Sequence, residues 1–431
     1  MTDPERIASE GLPPVTRPPR SAYLHIPFCH RRCFYCDFPV VPLGDRADGA
    51  GGPGSASIGA YLSLLHREIA AAPAGPPLAT VYLGGGTPSL LTPAQVAGLL
   101  AALERRFGRM SGAEVTLELD PASFDQVRLA GYLEAGVNRV SLGGQSFDDV
   151  VLAGLGRRHR GADLEQACAW LRAAHRRGDL ASWSLDLIQG LPGQNLADWD
   201  AQLERAIAAG APHLSVYDLI VEPGTVFERR RQRGDLDLPD DDLAADLMEH
   251  TARRLAAAGY GRYEVSNHAL PGHASRHNRV YWSGAGWWGF GMGATSAPHG
   301  VRTARPRTRE GYAAWLAQGA PQESGHPRGM PADERLLVGL RRREGVNLAA
   351  LAVEHGLDAA ALEGLRAQLA PFERRGLLVV EGPRWRLSDP EGLALSNAVL
   401  RELLAWWACA GPGSSPAEPP PPAPAHPAAV G

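Results

Sequence analysis

Three cysteines fall within eight residues of this 431-residue chain: Cys29, Cys33 and Cys36 in the string IPFCHRRCFYCDFPV, spaced C-x3-C-x2-C. The other two, Cys168 and Cys409, lie far away. Thiols bunched in this way, without the even spacing of a disulfide framework, point to metal or redox chemistry. A closed structural zinc site takes four ligands, and no second C-x2-C pair exists to complete one. His25 or His30 could fill that place. An iron–sulfur cluster is also held by thiolates, and three protein ligands would leave one iron open for a further group. Cys168, inside the helical pattern LEQACAWLRAA, reads as a small core residue.

Further polar residues stand at regular intervals along the chain. Thr87 follows the glycine run GGGTP at 84–88, and Glu118, Gln145 and Asp186 each sit near the end of an apolar run. The runs are strand-like: AYLHIPF (22–28), TVYLGGG (80–86), EVTLELD (114–120), RVSLGGQS (139–146), WSLDLIQG (183–190) and HLSVYDLIVE (213–222). Amphipathic stretches separate them. The clearest is TPAQVAGLLAALERRF (92–107), where Thr92, Pro93 and Gln95 read as a capping box with proline at the first position. Its Val96, Leu99, Leu100, Leu103 and Phe107 recur at helical spacing. Strands alternating with helices predict an α/β fold, a partial (β/α)6 barrel with a parallel sheet. Right-handed crossovers then bring Cys29, Thr87, Glu118, Gln145 and Asp186 to one mouth.

Composition narrows the chemistry. The chain contains no lysine, so a P-loop lysine, a Schiff-base lysine and a pyridoxal-phosphate anchor are excluded. A net charge of −4 gives no electrostatic case for nucleic acid. No secretion signal is legible and no apolar run is long enough to span a membrane, so the chain is read as cytoplasmic, with any membrane contact peripheral. The expected organisation is a disordered tail at 1–20, a core at 21–260 and an aromatic- and histidine-rich connecting segment at 261–330. A helical, winged-helix-like domain should follow at 331–407, then a disordered proline-rich tail at 408–431. The glycine-rich 44–57 reads as a loop.

The triad, with Tyr35 before its last cysteine, resembles the signature of the radical S-adenosylmethionine (SAM) superfamily. The resemblance implies a 4Fe-4S cluster on Cys29, Cys33 and Cys36, with SAM on the open iron. It also implies electron delivery from a flavodoxin- or ferredoxin-like donor and reductive cleavage of SAM to a 5′-deoxyadenosyl radical. It assigns SAM contacts to Tyr23, Tyr35, Gly84, Gly85, Gly86, Thr87, Glu118, Gln145, Arg157 and Asp186. Glycine would be needed in that run because a side chain would bar close approach of the backbone to the cofactor. Longer strings, among them YLHIPFC, GVNRVSLGGQSF, LDLIQGLPGQ, HNRVYW and WWGFGMGATS, are similar to the group of oxygen-independent coproporphyrinogen III oxidases and their haem-chaperone relatives. The oxidases carry a fourth cysteine two positions after the triad, and Phe38 stands there in this chain. The chaperone branch is therefore the nearer resemblance, which implies haem binding and transfer of haem to a membrane haem protein. Within that branch HNRVYW (277–282) points to His277 as axial ligand, with His268 and His273 as alternatives. The alternative activity is oxidative decarboxylation of coproporphyrinogen III to protoporphyrinogen IX.

Overall fold

The structure is a computed structural model that describes residues 18–44, 53–320 and 329–410. Residues 1–17 and 411–431 of the expected tails, 45–52 of the expected loop, and 321–328 lie outside the described residues. Six strands alternate with helices: β1 (Ser21–Ile26), β2 (Leu78–Gly85), β3 (Arg109–Leu119), β4 (Arg139–Gln145), β5 (Ser182–Gln189) and β6 (His213–Asp218). All six are parallel and lie side by side in chain order, so the expected partial barrel is present and does not close. The last strand ends four residues before the expected 222. Leu219 and Val221 leave the sheet to pack on a small cluster of Leu155, Ile188, Leu191 and Phe227.

Register explains why polar and apolar residues separate. Val81, Val115, Leu83 and Leu117 are neighbours across strands, and they pack in the core with the helices. The alternate positions form polar rows: Tyr82 beside Thr116, Glu118 beside Ser141 beside Ser184, and Gly143 beside Asp186 beside Ser215. A two-residue period puts these rows on the opposite, inner face. The helix α1 (Pro53–Ala71) begins inside the stretch read as a loop, so 53–57 are helical; Ile58, Tyr61 and Leu65 then pack into the core. The helix α2 (Pro93–Phe107) has the expected box: Thr92 Oγ1 accepts from Gln95 N at 3.2 Å, and Thr92 N donates to Gln95 Oε1 at 2.8 Å.

The 261–330 stretch is not a connector. It supplies β7 (Gly261–Arg262) and β8 (Asn267–Ala269), which extend the sheet beyond β6 in antiparallel sense, and β9 (Trp288–Phe290), which pairs in parallel with β1. Strands of two or three residues are too short for a period to show in sequence. Between them, the helix α3 (Arg276–Ser283) sets its N-terminal turn on Glu114 of β3, whose carboxylate accepts from His277 N at 2.9 Å and Arg276 N at 3.1 Å. A carboxylate suits the positive end of a helix.

The described residues divide into two compact units, one ending at Glu344 and the other starting at Gly345, so the first runs well past the expected 260. Among the described residues the second has helices Leu348–His355 and Ala359–Arg374, an antiparallel three-stranded sheet, a short helix Glu391–Ala394 and a last helix, Ser396–Ala410. That is the winged-helix-like pattern read from sequence.

Candidate functional site

One cavity of about 440 Å³ opens at the C-terminal ends of the parallel strands. It is lined by all three bunched cysteines and by Tyr35, Gly85, Gly86, Thr87, Glu118, Gln145, Arg157 and Asp186. Residues separated by up to 157 positions in sequence thus share one wall. The cysteines lie between β1 and α1. Their loop is fastened by Val41 N donating to Pro27 O at 2.6 Å and Leu43 N to Cys29 O at 2.8 Å. A buried histidine secures its far side: His25 Nε2 donates to Pro39 O and Nδ1 accepts from Tyr23 OH, both at 3.0 Å. With both nitrogens held, His25 is not the fourth ligand of a zinc site. Among the described residues no three His, Cys, Asp or Glu side chains converge on one point as a single ion requires. Burial pushes the Cys29 thiol up to about 12 and raises that of Cys36.

Glu118 faces the cavity from the end of β3. Its Oε1 accepts from Tyr82 OH at 2.8 Å and its Oε2 from Gly85 N at 2.9 Å. Burial raises its carboxyl to about 7, and those two donors hold it from going higher. Asp186 on β5 is also raised by burial, although Ser141 and Ser184 each donate to it at 2.7 Å. Gln145 has φ +58°, a left-handed conformation uncommon outside glycine, at an irregularity where β4 pairs with β5. Its buried Oε1 accepts no hydrogen bond. Gln145 thus brings a strained backbone and an unused acceptor to the cavity lining.

Arg157 arrives from the loop after the short helix Asp149–Gly154. That loop is stitched to the cysteine loop by Phe34 N donating to Leu155 O at 2.9 Å and Arg31 to Arg157 O at 2.5 Å. Gly156, at φ +77°, lies where a Cβ would stand 3.0 Å from the Phe34 ring, so only glycine lets the loops meet. Arg157 donates to Asp120 Oδ2 at 2.5 Å, to Gly143 O at 3.0 Å and to Cys33 Sγ at 3.5 Å.

Three expected positions differ from expectation. Tyr23 and Gly84 do not line the cavity; Tyr23 lies behind it, stacked on Tyr82 and bonded to His25. The protein's own packing already requires the glycine run. A Cβ on Gly85 would stand 2.5 Å from the His25 ring, one on Gly84 2.8 Å from Glu118 Oε1, and one on Gly86 2.6 Å from Phe28 O. The protein itself fills the space a side chain would need. His277, expected as a haem ligand, is 1% exposed on α3, with Nδ1 paired to Thr80 Oγ1 and Nε2 to Tyr281 OH, both at 2.8 Å. It stacks at 5.2 Å on Tyr82, a residue of the cavity lining, and does not itself line the cavity. Of the alternatives, His268 is buried on β8, and His273, only partly buried, has Nδ1 paired to Ser182 Oγ at 3.0 Å.

Sequence reasoning missed Tyr82, Asp120 and Ser141, all lining the cavity. Inward alternation along β2 and β4 would have found Tyr82 and Ser141. Asp120 lies one residue past β3, where only the fold decides direction.

Comparison with known proteins agrees with this geometry. The radical SAM superfamily model matches residues 23–206, and the HemN C-terminal domain model matches 331–394. The heme chaperone HemW of Synechocystis sp. is 42% identical, the match covering 90% of this chain and 97% of that protein. That of Escherichia coli is 34% identical, covering 91% and 100%. The bovine mitochondrial radical S-adenosyl methionine domain-containing protein 1 is 34% identical over 89% of this chain and 86% of its own. The solved structure of coproporphyrinogen III oxidase (HemN) from E. coli superposes with a TM-score of 0.72 over 93% of both chains, at 21% identity, a likeness of fold. A cavity built around a C-x3-C-x2-C loop on a partial barrel, together with that identity over nearly whole relatives, leads to one conclusion: the chain belongs to the HemW family of the radical SAM superfamily.

Proposed function

We propose that this protein is a haem chaperone that binds haem, a 4Fe-4S cluster and SAM, and delivers haem to an acceptor protein. The carrying observation is the end-to-end match to proteins named heme chaperone HemW, at 42% and 34% identity, against a likeness of fold alone to the oxidase. Phe38 agrees with it, standing 53% exposed beside the triad where the oxidases carry a further cysteine.

The residues present fit the cluster and SAM. Three unpaired cysteines share one wall of the cavity, and thiols raised by burial gain most from a cationic centre that takes them as thiolates. The unsatisfied Gln145 Oε1 and Arg157 Nε, both buried, fit a polar ligand beside them. Cys29, Cys33 and Cys36 would hold the cluster. Gly85, Gly86, Thr87, Glu118, Gln145, Arg157 and Asp186, with Tyr35, would hold SAM. When bound, the cluster supplies the electron for reductive chemistry on SAM. The chain's own part is to hold charge in a sheltered place: Glu118 takes or gives a proton near neutrality, and Ser141 and Ser184 keep Asp186 oriented.

The electron would come from a flavodoxin- or ferredoxin-like donor, and the acceptor would be a membrane haem protein met peripherally. Among the described residues no helix is long and apolar enough to cross a membrane. The test is a haem titration of the anaerobically reconstituted protein, run beside an assay with coproporphyrinogen III and SAM. Stoichiometric haem binding without carbon dioxide release is expected. Turnover of coproporphyrinogen would overturn the chaperone reading in favour of the oxidase.

A further inference from the structure

Arg157 has more contacts than a ligand-binding arginine needs. One terminal nitrogen points to Cys33 Sγ at 3.5 Å and the other to Asp120 Oδ2 at 2.5 Å, so the guanidinium bridges a thiol and a carboxylate. The Arg157 and Asp120 side chains are only 13% and 19% exposed, and His159, wholly buried, closes the far side with Nδ1 3.8 Å from Asp120 and Nε2 donating to Gly144 O at 3.0 Å. Asp120 is itself fixed, its Oδ1 accepting from Ala122 N at 3.0 Å and its amide donating to Ser89 Oγ at 3.1 Å. Among the described residues Cys29 meets the Thr87 hydroxyl and Cys36 the Phe38 backbone, both neutral, whereas Cys33 takes a guanidinium donor. One thiol of the three is singled out.

We infer that the Arg157–Asp120 pair sets the reduction potential of the cluster through Cys33. This rests on the reading that the three cysteines hold a cluster. One-electron reduction adds a negative charge to the cluster and breaks no bond. A cation donating to a ligating sulfur stabilises the reduced form, and a carboxylate on the same guanidinium offsets part of that charge. Low exposure keeps water from screening either group. Arg157 therefore raises the potential and Asp120 tempers it; Asp120 is a positioning residue acting through the arginine.

The test is a dithionite titration of anaerobically reconstituted full-length protein without SAM, followed by the electron paramagnetic resonance signal of the reduced cluster. Iron content and absorbance verify equal loading. Arg157→Gln should shift the one-electron equilibrium at least tenfold toward the oxidised form, about 59 mV per tenfold. Asp120→Asn should shift it in the opposite direction. The double variant, lacking both charges, should fall between wild type and Arg157→Gln. Should Arg157→Gln fail to fold, Asp120→Asn against the double variant carries the same comparison. Equal potentials in all loaded variants overturn the inference and leave Arg157 a SAM contact. A wild-type protein that takes up no cluster overturns the underlying reading as well.

Discussion

At the scale of single residues, the cavity separates groups that would bind a cluster from those that only pack. Cys29, Cys33 and Cys36 line it, whereas Cys168 is buried among Leu164, Leu171 and their neighbours in the core. Replacing any of the three by Ala should abolish the brown chromophore of the reconstituted protein, while Cys168→Ala keeps it at a cost of about 1 kcal/mol in stability. Iron analysis checks this, and a cluster retained without Cys33 would sink the assignment. Glu118 provides a pH test of the apo protein. Its folded-state pKa of about 7 exceeds the ordinary 4.5, so between those values the folded state holds a proton that the unfolded state has released. Stability therefore falls as pH rises from 4.5 to 7 and levels off above it. The loss from this partly sheltered group is on the order of 2 kcal/mol. Glu118→Gln should flatten that part of the stability curve, measured by urea unfolding at pH 5 and pH 8; an unchanged slope would mean Glu118 is ionised throughout.

At the scale of elements, local and distant determinants behave differently. The N-terminus of α2 is fixed locally, by the box of Thr92 and Gln95 with Pro93 between them, so Thr92→Ala should cost about 1 kcal/mol and nothing in the cavity should change. The position of α1 depends on a long-range network. Glu68 accepts from Arg305 at 2.8 Å, from Tyr312 OH at 2.6 Å and from Gly291 N at 2.7 Å, and the Glu68 and Arg305 side chains are both nearly fully buried. Tyr61, about two turns earlier on the same face, donates to His25 O at 2.6 Å and so ties α1 to the strand that leads into the cysteines. Glu68→Ala leaves a buried guanidinium unpaired and should cost about 3–5 kcal/mol. Thermal unfolding would show it, and a change below 1 kcal/mol would mean the network is not closed in solution.

At the scale of the whole molecule, the first unit is a sheet whose two edges are completed by one late segment. The HNRVYW helix α3 sets its start on Glu114, and its His277 and Tyr281 form a buried hydrogen-bonded stack beneath Tyr82. This placement predicts a structural role for His277. His277→Ala should lower apo-protein stability by about 1–3 kcal/mol, since Thr80 and Tyr281 lose a buried partner, and should leave the Soret band of the haem complex in place. A shifted Soret band in that variant would return His277 as axial ligand and require α3 to open on haem uptake.

The order of strands, the box at Thr92, the cysteine triad and the alternation of Glu118 and Asp186 to one face were all legible in the chain, because each depends on neighbours within a few residues or on a fixed period. The resemblance of the triad carried the reading further, to a cluster and SAM, and that of longer strings to the haem-chaperone branch. Direction and partnership were not legible. That Asp120 turns toward Arg157, that His277 is held rather than presented, and that the glycines at 84–86 make room for His25, Glu118 and Phe28 depend on strands distant in sequence being brought side by side. Strands of two or three residues at 261–262, 267–269 and 288–290 carry no period of their own and become strands only because the sheet edges offer unpaired backbone groups. Local propensity and spacing thus determine which elements form and which side chains could do chemistry, while the register between elements, a tertiary property, decides which of those side chains meet.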